Sequence, residues 1–129
     1  MSRLIDETRR LFPIWKLSAV QEQALERHYE LMVRWNARLN LTRITDEADA
    51  ARRHYAESLF LAWCLPPGSL RIVDIGSGPG FPGFPIAVAR PEVQVTLVES
   101  VSKKAMFLKE ASRGEANVQV IAGRAESLR

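Results

Sequence analysis

A glycine-rich segment in the middle of the chain has the composition of a nucleotide-binding turn. Residues 73–83 read VDIGSGPGFPG and follow an apolar run. Glycine adopts positive φ readily and has no side chain to block a ligand. In open parallel sheets, ligands bind beyond the carboxyl ends of the strands. The segment therefore predicts a ligand site that includes Asp74, Gly76, Gly78 and Gly80.

Two classes of nucleotide cofactor fit this pattern. Residues 78–83 satisfy G-x-G-x-x-G, and Glu99 follows at the distance seen in dinucleotide-binding folds. A diphosphate, however, needs backbone N–H donors, of which Pro79 and Pro82 remove two, and the charge of Asp74 would repel it. S-adenosylmethionine carries a sulfonium and an ammonium instead, so an acidic residue favours its binding. Glu99 can accept ribose hydroxyls from either cofactor, and the pattern as a whole favours S-adenosylmethionine.

The elements around this turn alternate between strand and helix. Strands joined by helices through short connections predict a parallel sheet with right-handed crossovers. We therefore expect an α/β fold in which residues 69–129 form the N-terminal half of a Rossmann-like, doubly wound domain. The predicted strands are residues 70–75, 93–98 and 118–121, and the predicted helices are residues 84–90 and 102–112, the second capped by Ser102.

Residues 1–68 are predicted to form an N-terminal helical appendage. Ser18 and Gln21 make a capping box that starts a long amphipathic helix. Asp46 caps a further helix, which the Pro-Pro-Gly sequence at 66–68 ends.

Several residues of these helices are predicted to serve packing rather than chemistry. His28 falls on the apolar face of the long helix, so we expect a core histidine. The single cysteine, Cys64, lies on an apolar helical stretch and is expected in the core. One cysteine can form neither an intrachain disulfide nor a thiolate metal site, so no metal is expected. The tryptophans are also expected to pack between helices: Trp15, Trp35 and Trp63.

Composition narrows the location and the partner. No uncharged stretch approaches the ~20 residues that cross a bilayer, and residues 1–12 carry five charges where a signal peptide needs an apolar run. We therefore expect a cytosolic protein without membrane contact. The net charge of +3 and the sequence pI of about 9.4 are compatible with a polyanionic partner.

Motifs on both sides of the glycine-rich segment carry a family resemblance. They are residues 35–42 (WNARLNLT), His54 with Ser58, Pro91, Lys103-Lys104 with Phe107-Leu108, and residues 123–126 (GRAE). In this order and spacing the chain resembles the GidB family, also called RsmG, of bacterial small-subunit ribosomal RNA guanine-N7 methyltransferases. The resemblance implies a class I S-adenosylmethionine-dependent methyltransferase fold. It also implies methylation of N7 of one guanosine in 16S ribosomal RNA, on the RNA or on the subunit particle.

The resemblance also implies roles for individual residues. Gly76 and Phe81 would surround the cofactor, Glu99 would hold its ribose, and Ala125 with Glu126 would meet the adenine. Guanine N7 has a lone pair and no proton, so no catalytic base is expected. Catalysis would then rest on positioning, for which effective molarities of ~10⁵ M are available.

The chain departs from the family pattern in two side chains and in length. Glu57 stands where aspartate is common, and Phe84 where a smaller aliphatic residue is usual. The family's domain continues past the third strand, and its next segment carries an arginine that is absent after Arg129. Residues 72–75 would then form an exposed apolar edge. We expect a missing C-terminal segment or a second chain to complete the sheet.

Basic side chains in two regions are candidates for contact with RNA phosphates. Cations at such positions would make the affinity salt-dependent. The candidates are Arg43, Arg52, Arg53, Lys103 and Lys104, with Lys109 nearby in sequence.

Three hypotheses follow from the sequence. The first is an RNA methyltransferase. The second is a non-catalytic fragment that at most binds cofactor or RNA. The third is a nicotinamide-dependent dehydrogenase, against which the missing phosphate donors argue.

Overall fold

The structure is a computed structural model that describes residues 3–43, 46–124 and 126. Its first half is helical: α1 (Arg3–Leu11), α2 (Ala19–Asn36), α3 (Glu47–Ala50) and α4 (Glu57–Cys64). A π-helical turn, Ala51–Ala56, joins α3 to α4 without a break in direction. The helix predicted to run from the Asp46 cap is therefore present, with an unpredicted widening in its middle.

The helix starts follow from side chains that cap them. At α2 the capping box is complete: Gln21 N–H donates to Ser18 Oγ (3.1 Å) and Ser18 N–H donates to Gln21 Oε1 (2.8 Å). At α3, the carboxylate of Asp46 accepts from Asp49 N–H at 3.1 Å. Both predicted caps are confirmed.

The second half forms a three-stranded parallel sheet in the order β1-β2-β3. The strands are β1 (Arg71–Ile75), β2 (Gln94–Glu99) and β3 (Val118–Ala122), connected by α5 (Gly83–Ala89) and α6 (Ser102–Ala111). The prediction of an α/β fold with parallel strands is confirmed. The prediction that Ser102 caps α6 is wrong: Ser102 is the first helical residue, and at that point Val101 N–H donates to the Glu99 carboxylate (2.9 Å).

One hydrophobic core extends from α1 to α6 and covers a single face of the sheet. Every residue of α5 is buried, because this helix lies between the sheet and the N-terminal helices. Val73 and Ile75 of β1 point away from this core and are 54% and 61% exposed. β1 also stands at one edge of the described sheet, as the strand order shows, and its outward face is apolar. The division of the chain between residues 68 and 69 stays a prediction.

Three of the packing predictions have clear outcomes. His28 is fully buried, as predicted. Trp15 packs edge-on against Trp63, and Trp35 packs edge-on against Phe107, with ring centroids 5.6 and 5.7 Å apart. Trp63 itself is 51% exposed, so the prediction that it packs between helices is met on one side of the ring only. The prediction for Cys64 is wrong. This residue is exposed at the last position of α4, because Leu59 and Ala62 take the inward positions of that helix.

Arg90 ties the amino-terminal edge of the sheet to the end of α4. Its guanidinium donates to three carbonyls, those of Ala62 (3.2 Å), Pro66 (2.9 Å) and Gly68 (3.2 Å). It also pairs with Glu92 at 2.5 Å, although only 10% of the Arg90 side chain is exposed. The planar, five-donor guanidinium suits this task, since lysine has no comparable fork.

We expect Arg90→Met to reduce the free energy of unfolding by about 2 kcal/mol, since a buried acceptor left unsatisfied costs ~1–3 kcal/mol and water can reach part of this site. Urea denaturation measures the change. Arg113→Met, which removes an exposed arginine from its ion pair with Glu110, is the control and should stay within about 0.5 kcal/mol of the parent. Equal losses in the two variants would contradict the role of Arg90.

None of the helices within residues 3–43 and 46–124 is long and apolar enough to cross a membrane.

Candidate cofactor site

Asp74 holds the start of α5 against the end of β1. Its Oδ2 accepts from the peptide N–H of Gly83 at 3.0 Å, the first helical residue. A carboxylate is favoured there by the positive end of the helix dipole. Partial burial raises the pKa of Asp74, while bonds from Gly83 and Ser77 act in the opposite direction. The helix N-terminus, where a phosphate would bind, is therefore already occupied by an anion.

The predicted glycines give the turn its shape. Gly76, Gly78 and Gly80 have φ values of +71°, +56° and +105°, which L side chains rarely adopt. A Cβ at Gly76 or Gly78 would meet nothing within 4 Å, so open space lies beside both. A Cβ at Gly80 would instead crowd Leu108 and Phe84. The first two glycines leave room for a ligand, and the third permits close packing.

The peptide N–H groups of the turn already have acceptors within the protein. Between residues 76 and 84 every N–H that is not removed by a proline donates to a carbonyl or a carboxylate, at 2.7 to 3.4 Å. A diphosphate is held by free backbone donors. The turn keeps none for it. The acceptors are the carbonyls of Ser77, Gly80 and Val98 and the carboxylates of Asp74 and Glu99.

Glu99 ends β2 beside the same turn. Its Oε1 accepts from Gly78 N–H (3.1 Å) and its Oε2 from Val101 N–H (2.9 Å), and the residue is 6% exposed. A carboxylate has about four lone-pair sites, so two bonds leave acceptor capacity on a rigidly held group. The carboxyl ends of β1 and β2 therefore offer hydrogen-bond acceptors, which ammonium and ribose hydroxyl groups require.

A cleft of about 340 Å³ opens where the carboxyl ends of the strands meet. Glu126, the described part of the predicted adenine contact, lies on its rim, and Ala125 lies outside the described residues. Gly76 also lines this cleft, so the structure brings these two predicted residues together. The residues that line the cleft are Ile75, Gly76, Val98, Ser100, Gly123, Arg124 and Glu126.

His28, from helix α2, contacts the glycine-rich turn on the side that faces the N-terminal helices. His28 lies 2.7 Å from the carbonyl of Pro79 through Nε2 and 2.6 Å from the Tyr55 hydroxyl through Nδ1. A carbonyl only accepts, so Nε2 carries the proton, and Nδ1 accepts from the tyrosine. Burial lowers the pKa of His28 to about 4, with a minor opposing contribution from its bond to Pro79. His28 is therefore a neutral link between α2, the π-helical turn and the glycine-rich turn.

The described residues contain no group of three histidine, cysteine or acidic side chains placed to hold a metal ion.

Comparison with known proteins identifies the family. The model of the GidB family, described as rRNA small subunit methyltransferase G, matches residues 21–129. The chain belongs to the GidB family. A ribosomal RNA small subunit methyltransferase G from Roseiflexus castenholzii is 44% identical over 128 residues, which is 95% of this chain and 54% of that protein. One from Stenotrophomonas maltophilia is 46% identical over 114 residues, 87% of this chain and 53% of that protein. The chain spans about half the length of the curated relatives it matches.

The GidB motifs around residues 35–42 and His54 converge on the glycine-rich turn. His54 stacks face to face on Phe81, with centroids 4.1 Å apart and planes within 2°. Its Nε2 lies 3.1 Å from Thr42 Oγ1, and Thr42 N–H donates to Asn36 Oδ1 at 2.9 Å. Partial burial lowers the pKa of His54. These motif residues thus place Phe81, one of the predicted cofactor residues, from the helical side.

The predicted RNA contacts of this GidB chain fall into two groups. Arg43 is exposed after α2, and Arg52 and Arg53 are exposed on the π-helical turn, although Arg52 pairs with Asp49 at 3.3 Å. The other group lies in the first turn of α6, where Lys103 is exposed and Lys104 is half-buried. Their contact with RNA stays a prediction.

Two residues of the candidate cofactor site were not predicted from the sequence. His28 was expected only to pack, although its ring meets Pro79 across 51 positions of sequence. Ser100 lines the cleft, and its place directly after Glu99, at the end of a strand, was a usable signal.

Proposed function

We propose that the protein containing this chain is an S-adenosylmethionine-dependent methyltransferase that acts on N7 of a guanosine in 16S ribosomal RNA, as RNA or as subunit particle, in the cytosol. The observation that carries the choice of cofactor is the saturation of the turn's N–H groups beside two carboxylates. This edge attracts donors and cations. It offers a diphosphate only repulsion and already bonded amides.

The roles of the chain's own residues follow from their positions. Asp74 would attract the ammonium of the cofactor's amino-acid end, and Glu99 would accept the ribose hydroxyls. Gly76 and Gly78 would let the ligand approach the backbone, since a Cβ there projects into open space. Ala125 and Glu126 would meet the adenine, as in the family pattern. The bound cofactor supplies an electrophilic methyl group. Transfer of that methyl would break its bond to sulfur and release S-adenosylhomocysteine. Guanine N7 offers a lone pair and has no proton to lose, so these residues would need only to bind and orient.

We expect Asp74→Asn to weaken binding of S-adenosylmethionine by about ten- to a hundredfold, since a charge-assisted hydrogen bond contributes ~1.5–3 kcal/mol and ~1.4 kcal/mol is tenfold in affinity. Asparagine can still accept from Gly83 N–H, so α5 keeps its cap. Calorimetric titration measures the affinity. Asp46→Asn, which changes an exposed helix cap away from the turn, should leave it unchanged.

The same titration carries a pH signature. The pKa of Asp74 is raised, so acidification neutralises its carboxylate at a higher pH than for an ordinary aspartate. Affinity should fall as the pH passes down through that value, and the Asp74→Asn variant should lack this step. Unchanged affinity in the variant, or tight binding of NAD to the parent, would contradict the proposal and revive the dehydrogenase hypothesis.

The reaction itself is tested with methyl-labelled S-adenosylmethionine and small-subunit RNA, using the protein as the cell makes it. We expect the label in N7-methylguanosine after digestion of the RNA. Cofactor binding without any transfer would favour a non-catalytic role, and label on another atom would refute the N7 assignment.

A further inference from the structure

A basic groove lies between the end of α2 and the first turns of α6. It has a volume of about 770 Å³, within the range of small-molecule and nucleotide sites. No acidic side chain lines it among the residues that the structure describes. We call it the α2–α6 groove, and its lining residues are Arg34, Trp35, Ala37, Arg38, Leu39, Lys103 and Met106.

The cations of the groove form no ion pair with a described acidic side chain, although Glu30 and Glu110 line an adjoining pocket that Arg34 also borders. Arg34, Arg38 and Lys103 are all exposed, and within the described ranges no acidic side chain forms an ion pair with them. On the other surfaces of the same helical half, Arg10 and Arg52 are each paired with a carboxylate on the same helix. The groove therefore brings together three cations that no ion pair within the described residues engages.

The floor between these cations is apolar and firmly held. Met106 is 59% exposed, so its apolar side chain is available for contact with a ligand. Leu39 is half-buried, and its N–H donates to the Trp35 carbonyl at 2.9 Å. Trp35 packs edge-on against Phe107 of the core. The groove is thus a fixed apolar strip with cations on its rim.

Both walls of the groove belong to helices that also reach the candidate cofactor site. Lys103 lies four positions after Glu99, in the helix that begins at the carboxyl edge of the sheet. The other wall belongs to α2, whose His28 contacts the glycine-rich turn two helical turns earlier. A chain that occupied the groove would therefore lie along the same two helices that border the proposed site of the methyl donor.

We propose that the α2–α6 groove binds a single-stranded segment of the RNA substrate, with phosphates on Arg34, Arg38 and Lys103 and a base on the apolar floor. Proteins hold single-stranded RNA through this combination of cations and a stacking surface. An acidic peptide would satisfy the cations but covers an apolar floor only where it carries an aromatic side chain, whereas every nucleotide joins a flat base to a phosphate. A flat lipid surface does not fit a recessed groove. This inference rests on the proposed function for its choice of RNA.

The test compares two triple variants with equal loss of charge. Arg34→Gln/Arg38→Gln/Lys103→Gln empties the groove of cations, and Arg3→Gln/Lys16→Gln/Arg71→Gln removes three exposed cations elsewhere. Binding of a fluorescent single-stranded RNA is followed by anisotropy at several salt concentrations. We expect the groove variant to bind at least about tenfold more weakly. Its salt slope should be smaller by about 2, since each phosphate contact on a single strand contributes ~0.7. The control variant should resemble the parent.

A second measurement reports on the apolar floor. In a Trp15→Phe/Trp63→Phe background, Trp35 is the remaining tryptophan. RNA is expected to quench its fluorescence, whereas polyglutamate at equal charge is not. Circular dichroism confirms that each variant is folded.

Several outcomes would overturn the groove proposal: equal losses of RNA affinity in both triple variants, no response of Trp35, or the same groove-dependent binding of polyglutamate or anionic vesicles. Titration with S-adenosylmethionine separates this proposal from the proposed function. If the groove variant loses RNA but keeps cofactor affinity, the groove stands. If neither the parent nor the groove variant binds S-adenosylmethionine, the proposed function fails. The RNA titrations still decide whether the groove binds RNA.

Discussion

Acidification from pH 7 to pH 4 is expected to remove about 3 kcal/mol of folding free energy through His28 alone. The pKa of this fully buried ring is lowered from 6.5 to about 4, and each pKa unit corresponds to ~1.4 kcal/mol. Neutral His28 holds the carbonyl of Pro79 and the hydroxyl of Tyr55, and burial disfavours the imidazolium.

The direction follows from proton linkage. Between about pH 6.5 and pH 4 the unfolded chain binds a proton at His28 and the folded chain does not. Stability therefore rises with pH across this window. The contribution of neutral His28 to stability is fully present above pH 6.5 and declines as the pH falls toward 4. Carboxylates also become protonated as the pH falls and change the free energy of unfolding, so the effect of His28 must be isolated by comparison with a variant.

Urea denaturation of the parent and of His28→Gln at several pH values provides that difference. The chain has only two histidines, which makes His54→Gln a matched control. The variant at His28 is expected to be less stable at pH 7 and to lose most of the pH dependence above pH 4. The His54 variant should keep most of it, because His54 is only partly buried. Parallel pH profiles for parent and His28→Gln would refute this account.

Gly83→Ala is expected to lower the free energy of unfolding by about 3 kcal/mol. In a helix, replacing glycine by alanine normally stabilises by up to ~1 kcal/mol. Here a Cβ would collide with Leu97 and come within 2.9 Å of Asp74 Oδ2. Both neighbours are held by the sheet, and overpacking of this kind costs ~1–3 kcal/mol before the loss of the Asp74 bond is counted.

Gly123→Ala is the control for Gly83→Ala. A Cβ at Gly123 would meet nothing within 4 Å, and its φ lies outside the positive range. Its stability should change by less than about 0.5 kcal/mol. Urea denaturation measures the stability of both variants. Titration of Gly83→Ala with S-adenosylmethionine then reports whether Asp74 has been displaced. A neutral or stabilising Gly83→Ala would mean that α5 can move away from β2.

Local patterns were enough to predict the elements of this fold, because each depends on residues close in sequence. The capping box at Ser18, the Asp46 cap and the strand-turn-helix order were all predictable for that reason. Residues such as Asp74 and Glu99 could be placed at one edge because parallel strands align their carboxyl ends.

Other features depend on contacts between distant segments. The link from His28 to Pro79 requires the docking of α2 under the turn, which no periodicity reveals. Cys64 sits on an apolar stretch, but the direction in which α4 faces is set by Leu59 and Ala62. The α2–α6 groove likewise joins residues separated by more than 60 positions.

The π-helical turn Ala51–Ala56 lets two neighbouring rings serve one partner. In an α-helix, consecutive side chains diverge by ~100°, whereas the i→i+5 bonding of a π turn widens the spiral and narrows that angle. His54 and Tyr55 accordingly both reach Phe81, one face to face at 4.1 Å and the other edge-on at 5.0 Å. The wider π-helical turn thus allows two consecutive side chains, His54 and Tyr55, to hold the Phe81 ring beside the proposed site of the methyl donor.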